Sequence, residues 1–155
     1  MATLEQTLTY RLHLLHKLTD VASQRAYVQG TGLSMGVGRC LTAVGSFAPL
    51  SVNDLANKTN LTKGQASRAA QSLVEQGLVR KIASPNDGRG VVLTLTRNGQ
   101  AAWSSAMQVI ERRNQEIFGL LSESEQAQLS AMIDRLLAQA RTPRSVAAPL
   151  AASDE

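Results

Sequence analysis

Seven side chains between Thr62 and Arg89 carry the clearest chemistry in this sequence: Thr62, Lys63, Gln65, Ser67, Arg68, Gln71 and Arg89. Arginine can donate two parallel hydrogen bonds to guanine, and the glutamine carboxamide can pair in the same way with adenine. That makes Gln65, Ser67, Arg68 and Gln71 candidate readers of base edges. Thr62 and Lys63 stand where a helix begins, and there free N–H groups and the helix dipole favour a phosphate. From Thr62 to Gly90 the cations Lys63, Arg68, Arg80, Lys81 and Arg89 outnumber Glu75 and Asp87, a local excess of +3. Any one of these charges by itself reads as an ordinary solvated side chain. Clustered on one scaffold they point to a nucleic acid, whose affinity should fall steeply with salt.

The elements that must position these side chains are legible from 51 to 96. Ser51 is an N-cap for a helix over Ser51–Lys58, with Asp54 in its first turn. Asn60 falls at a turn and tolerates a left-handed backbone. Thr62 and Gln65 fit a capping box that opens a second helix, Lys63–Gln76. Leu55, Ala56, Leu61, Ala66, Ala69, Leu73 and Val74 are expected to face inward, and the small residues among them let the two helices cross closely. The outward face of the second helix is then Lys63, Gln65, Ser67, Arg68, Gln71 and Ser72. Gly77 ends it. Two strands follow, Leu78–Ala83 and Val91–Thr96. In the latter 91, 93 and 95 face one way and 92, 94 and 96 the other. Asp87-Gly88 marks a turn in the joining loop. Helix, turn, helix and two-stranded wing is an arrangement that sets one helix into a DNA major groove.

The flanks read as helical. Residues 3–29 predict one long helix with two apolar stripes. Leu4, Leu8, Leu12, Leu15 and Ala22 form one, and Tyr10, Leu14, Leu18, Val21 and Val28 the other. Two stripes suggest burial on both sides, one against the helix's own domain and one against a second subunit. A central helix of a monomeric bundle is the simpler alternative. Gly30-Thr31-Gly32 closes that helix, and Leu33 to Phe47 predicts the next, with Ala48-Pro49-Leu50 as the break. Glycines at 36 and 38 weaken its start or allow close packing. Arg97 to Gly119 is helical, Ser122-Glu123-Ser124-Glu125 is a further capping box, and Leu129 to Ala140 follows the spacing of an amphipathic helix. After Arg141 the chain is rich in Pro, Ala and Ser, without periodicity, and reads as a disordered tail.

Composition narrows the function classes. With 155 residues, a formal charge of +4 and one cysteine, the chain suits a single domain with an added module, and excludes an internal disulfide framework. No apolar run approaches the roughly 18 residues of a membrane span, and no signal-peptide pattern is visible, so a cytoplasmic protein without a membrane partner is expected. No phosphate-binding glycine loop, metal motif or catalytic constellation is present, and neither an enzyme nor a cofactor is expected. Weaker candidates concern a small ligand. His13 and His16 are helical neighbours that suit a metal or an anion, or simply make structural hydrogen bonds. Arg39 interrupts an apolar helix, as the partner of a carboxylate ligand or of a structural ion pair. Trp103 walls a pocket or belongs to the core. Cys40, a lone cysteine on an apolar helix, reads as a buried inert thiol.

Several segments together resemble the MarR (multiple antibiotic resistance regulator) family of winged-helix transcription factors. They are Ser67-Arg68, Leu73-Val74-Glu75-Gln76-Gly77-Leu78-Val79-Arg80, Asp87-Gly88-Arg89 and Leu93-Thr94-Leu95-Thr96-Arg97-Asn98-Gly99. The resemblance implies a mainly α fold with a small two-stranded β-wing, joined to a helical dimerisation domain. On that pattern 33–96 is the winged helix-turn-helix, 1–32 together with 97–141 the dimerisation region, and 142–155 the tail. It implies a homodimer bound to a palindromic operator on double-stranded DNA, commonly as a repressor released by a small, aromatic or phenolic effector held between the dimer helices and the reading domain. Arg89 resembles the family's wing arginine, which enters the minor groove, and Asp87 the residue that orients it. Some family members sense peroxide through one reactive cysteine, so the resemblance also offers Cys40 as a redox sensor; in those members the cysteine lies near the start of the first helix, close to tyrosines, whereas Cys40 lies in the second. Regulation by abundance, without an effector, is the alternative reading of the same domain.

Overall fold

Local capping sets the helix boundaries in the computed structural model, which describes residues 3–86 and 89–142. Five hydroxyls accept a hydrogen bond from the backbone N–H three residues on: Ser34 from Val37 (3.4 Å), Ser51 from Asp54 (3.1 Å), Thr62 from Gln65 (3.2 Å), Thr96 from Gly99 (2.9 Å) and Ser122 from Glu125 (3.2 Å). Each satisfies an N–H that has no partner inside its helix. The helices are α1 (Leu8–Thr31), α2 (Met35–Phe47), α3 (Val52–Thr59), α4 (Lys63–Glu75), α5 (Arg97–Phe118) and α6 (Glu123–Arg141). Strands β1 (Val79–Ala83) and β2 (Val91–Leu95) lie between α4 and α5. The expected helix over 3–29 is interrupted. Leu4–Gln6 form a single 3-10 turn, and Thr7 is extended, with its hydroxyl donating to the Leu4 carbonyl at 2.7 Å. A threonine that bonds its own backbone competes with helix propagation in this way.

The chain divides into two compact units, one running to Ile117 and one beginning at Phe118. In the first, α2 lies at the centre of the core: Cys40, Leu41 and Val44 are fully enclosed. Leu55 of α3, Ala66, Ala70 and Leu73 of α4, Val79, Leu93 and Ala106 belong to the same cluster. Alanines at 56, 66 and 69 are buried as expected, and Ala70 joins them. β1 and β2 pair antiparallel from Val79↔Leu95 to Ala83↔Val91. Leu50 adds a bridge to Leu93 through two backbone hydrogen bonds, of 3.4 and 2.9 Å. The expected alternation along β2 is incomplete, because Val92 and Leu93 are both buried.

One corner locks the wing to its neighbours. The Thr96 hydroxyl donates to the Gly77 carbonyl and accepts from the Gly99 N–H at 2.9 Å. A side chain at Gly99 would overlap the Leu78 carbonyl. The Gly77-Leu78 exit from α4 and the Thr96–Gly99 start of α5 are therefore one structural joint.

The contacts of α1 with α2 and α5 lie along its C-terminal half. Ala26 and Tyr27 are its buried residues, packed with Val109, Met35 and Ile110, and neither lies on the two stripes read from the sequence. Gly38 lets α2 approach the Tyr27 ring, which a methyl group there would strike. Arg113 of α5 donates to Ser23 Oγ (3.2 Å) and the Thr19 carbonyl (3.3 Å). Before that tether, Leu8, Leu12 and Leu18 are exposed, Leu8 to 81 %. Within the second unit, Gln126 Nε2 donates to the carbonyls of Phe118 (3.3 Å) and Leu121 (3.0 Å), while Met132, Ile133, Leu136 and Leu137 are exposed. Among the described residues no helix is long and apolar enough to cross a membrane.

Candidate nucleic-acid interface

The turn between α3 and α4 is built by Asn60, which takes the left-handed conformation at φ 55° and ψ 39°. Leu61 N–H then bonds back to the Ala56 carbonyl at 3.2 Å, and Leu61 packs against the core. This fixes the angle at which α4 leaves, with its alanine face inward. Its opposite face carries Lys63, Gln65, Ser67, Arg68 and Gln71, all exposed, with Ser72 half-buried. The structure thus brings six of the seven proposed DNA contacts onto one helix and its cap.

Three of these side chains are already engaged within the protein, and the first is Thr62, whose hydroxyl accepts from the Gln65 N–H at 3.2 Å. Gln65 Oε1 accepts from the Thr62 N–H at 2.9 Å, closing the capping box. Gln71 bridges two neighbours: its nitrogen donates to Glu75 Oε1 at 3.1 Å, and its oxygen accepts from Lys81 Nζ of β1 at 3.0 Å. Ser67 and Arg68 sit between them on the exposed face. On the wing, Arg80 Nε donates to Thr94 Oγ1 across the strands at 3.3 Å. Arg89 is exposed at the wing loop. Asp87, its expected orienting partner, lies with Gly88 outside the described residues, as does the expected tail from 143 onward.

The candidate ligand residues do not converge. His13 and His16 are exposed on the open part of α1. Trp103 packs into the core against Gly45, with its indole nitrogen buried and unbonded. Arg39 does line a cavity of about 440 Å3, with Tyr27 of α1, Thr42 and Phe47 of α2, Lys58 and Asn60 at the end of α3, and Met107 and Ile110 of α5. Neither histidine nor Trp103 is among its lining residues. Burial pushes the Tyr27 phenol above its usual range, opposed by the nearby Arg39 charge and the Thr42 hydroxyl. Lys58 was not singled out from the sequence, where a lysine in the last turn of a helix has an ordinary dipole role. Here its ammonium sits 4.4 Å from the Phe47 ring centre, at cation–π distance. A larger cavity, about 530 Å3, lies between α1 and α5, lined by Leu18, Val21, Arg25 and Arg112, away from α4. Cys40 is enclosed, and burial raises its thiol pKa despite a hydrogen bond with Thr59. A protonated, inaccessible sulfur is a poor nucleophile, which favours the inert reading.

Comparison with known proteins agrees with this architecture. The model of the MarR family matches residues 31–90, from the end of α1 through the wing loop. The HTH-type transcriptional regulator BilQ of Clostridium symbiosum is 24% identical over 112 residues, covering 72% of this chain and 78% of BilQ. A MarR family protein of Mycobacterium tuberculosis, RV2887, solved in complex with p-aminosalicylic acid, superposes with a TM-score of 0.69 at 23% identity, covering 84% of this chain and 98% of the other. BpsR of Bordetella bronchiseptica, whose DNA binding is regulated by 6-hydroxynicotinic acid, gives a TM-score of 0.74 at 20% identity, covering 92% and 99%.

Proposed function

We propose that this chain, a MarR-family transcriptional regulator, is a cytoplasmic homodimeric repressor of a palindromic operator, released by a small aromatic acid. The observation that carries the DNA-binding part is the outward face of α4. Lys63, Ser67 and Arg68 stand exposed on a helix whose other face is docked by alanines, beside a wing that carries Arg89. Phosphate contacts by Thr62 and Lys63 set the register, and Arg68 reads guanine edges. Arg89 reaches the minor groove, with Asp87 as its orienting partner.

Support for a second copy comes from the exposed leucines of α1 and, separately, from the exposed apolar residues of α6. Two copies place two recognition helices on successive grooves, about 34–36 Å apart. Residues 1–32 and 97–141 serve as the dimerisation region, and 33–96 as the reader.

The 440 Å3 cavity is the proposed effector site. Arg39 and Lys58 are cationic and no carboxylate among the described residues lines it, so it suits a negatively charged ligand. Tyr27, Phe47, Met107 and Ile110 offer apolar walls for a flat ring. The aromatic acids paired with RV2887 and BpsR are therefore sensible first candidates. Lys58, Thr59 and Asn60 belong to the helix-turn-helix, so an occupant would bear directly on the angle of α4.

The test is an anisotropy titration on a duplex selected from a pool with a randomised core. Wild type should bind steeply with falling salt, and Arg89→Ala should bind at least tenfold more weakly while keeping its helical circular dichroism. p-Aminosalicylic or 6-hydroxynicotinic acid should release the DNA. At 100 times its dissociation constant, such a ligand stabilises the native state by about 2.7 kcal/mol, visible as a thermal shift. Arg39→Ala should lose that shift yet still bind DNA. Binding with neither shift nor release across a wider panel of aromatic acids would leave a repressor without a small effector.

A further inference from the structure

We propose that Gln71 is a positioning residue that holds Lys81 of β1 against the recognition helix, and that Lys81 is a phosphate contact. The inference rests on the DNA-binding reading above. Reading adenine requires both ends of a glutamine carboxamide, the nitrogen as donor and the oxygen as acceptor. Both ends of Gln71 are engaged within the protein, at 3.1 Å to Glu75 and 3.0 Å from Lys81. The orientation is unique. A carboxylate only accepts and an ammonium only donates, so the amide nitrogen must face Glu75 and the oxygen Lys81.

Lys81 keeps two further N–H donors beyond the one given to Gln71. It is exposed, on a strand that leads into the wing loop. A free lysine has a flexible stem and loses rotamer freedom when it meets a phosphate. The Gln71 tether removes part of that freedom before DNA arrives. The same bond joins α4 to β1 at the surface, on top of the Thr96 joint at the strand base. Helix and wing then approach DNA as one body, in a set relation between the two grooves they serve.

Lys81→Gln, Gln71→Ala and the double variant decide the matter. Each is titrated on the selected duplex between about 50 and 200 mM salt, and the selection is repeated with Gln71→Ala. Lys81→Gln should bind about tenfold more weakly at the lower salt, with the slope of log affinity against log salt reduced by about 0.9. Gln71→Ala should bind several-fold more weakly and recover the same sequence. The double variant should match Lys81→Gln within about twofold, because the two side chains act through one contact. A relaxed base preference at one position in Gln71→Ala would make Gln71 a base reader and overturn the proposal. So would an unchanged salt slope in Lys81→Gln, or losses that multiply in the double variant. Wild type that binds no duplex in a salt-dependent way would instead overturn the underlying DNA-binding reading.

Discussion

Cys40 shows how surroundings decide what a residue type does. Its thiol has no exposed surface and sits beside Thr59. Burial raises its pKa above the ordinary value of 9.0, and raises that of Tyr27 above 10.0. The consequence for stability has a definite sign. Well below pH 9.0 folded and unfolded chains both hold the thiol proton, and nothing is lost. Above it the unfolded chain releases the proton first, and stability falls as the pH climbs towards the folded value. Urea midpoints for wild type should therefore drop from pH 8 to pH 10.5, and drop less in Cys40→Ala once each is compared with its own value at pH 8. An equal decline in the two proteins would remove Cys40 from the account. The same enclosure should make the thiol slow to alkylate in the native state and fast in denaturant. Arg39 makes the complementary case. Its type alone left a ligand partner and a structural ion pair open, and the structure gives it a place on a cavity with a second cation.

Among the elements, the joint between α4, the wing and α5 repays the closest reading. The Gly-Leu-Val-Arg exit and the Leu-Thr-x-x-Gly segment sit far apart in the chain and looked like separate signatures. They are two halves of one contact: Thr96 bonds to Gly77 and to Gly99, and Gly99 lies against the Leu78 carbonyl. Glycine is required there because a methyl group would meet backbone, which cannot rotate away. Gly99→Ala should cost about 3 kcal/mol in urea unfolding, at the upper end for forced overpacking. It should also loosen the wing, so that operator affinity falls further than the loss of folded protein explains. A variant as stable as wild type would show that α5 can shift to accept the methyl. The capping boxes at Thr62 and Ser122 belong to the same scale but form within one turn, which is why their residues could be named from spacing alone.

At the scale of the whole molecule, the proposed function makes one copy an incomplete reader. It presents a single recognition helix and a single wing, and it leaves Leu8 and Leu12 exposed. Leu12→Asp removes two leucines and adds two buried charges per proposed dimer. Light scattering should report a monomer at micromolar concentration, with the α2–α5 core still folded. Affinity for a full palindrome should then fall to that for a half-site. A Leu12→Asp protein that stays dimeric would place the second-copy contact elsewhere.

The sequence by itself determined what depends on neighbours in the chain: where helices start and stop, the left-handed turn at Asn60, and which face of α4 is polar. Those features follow from hydrogen bonds and side-chain periods spanning one or two turns, and such distances can be counted in residues. It also supplied the MarR resemblance, because the conjunction of short motifs at set spacing is itself a sequence property. Only the tertiary structure decided what depends on segments meeting. The Leu50–Leu93 bridge, the Trp103 contact with Gly45 and the cavity that joins Tyr27, Arg39 and Lys58 could not be counted along the chain. Nor could the bond from Gln71 to Lys81. Side chains from separate elements meet according to how those elements pack, and packing is settled by the whole core at once.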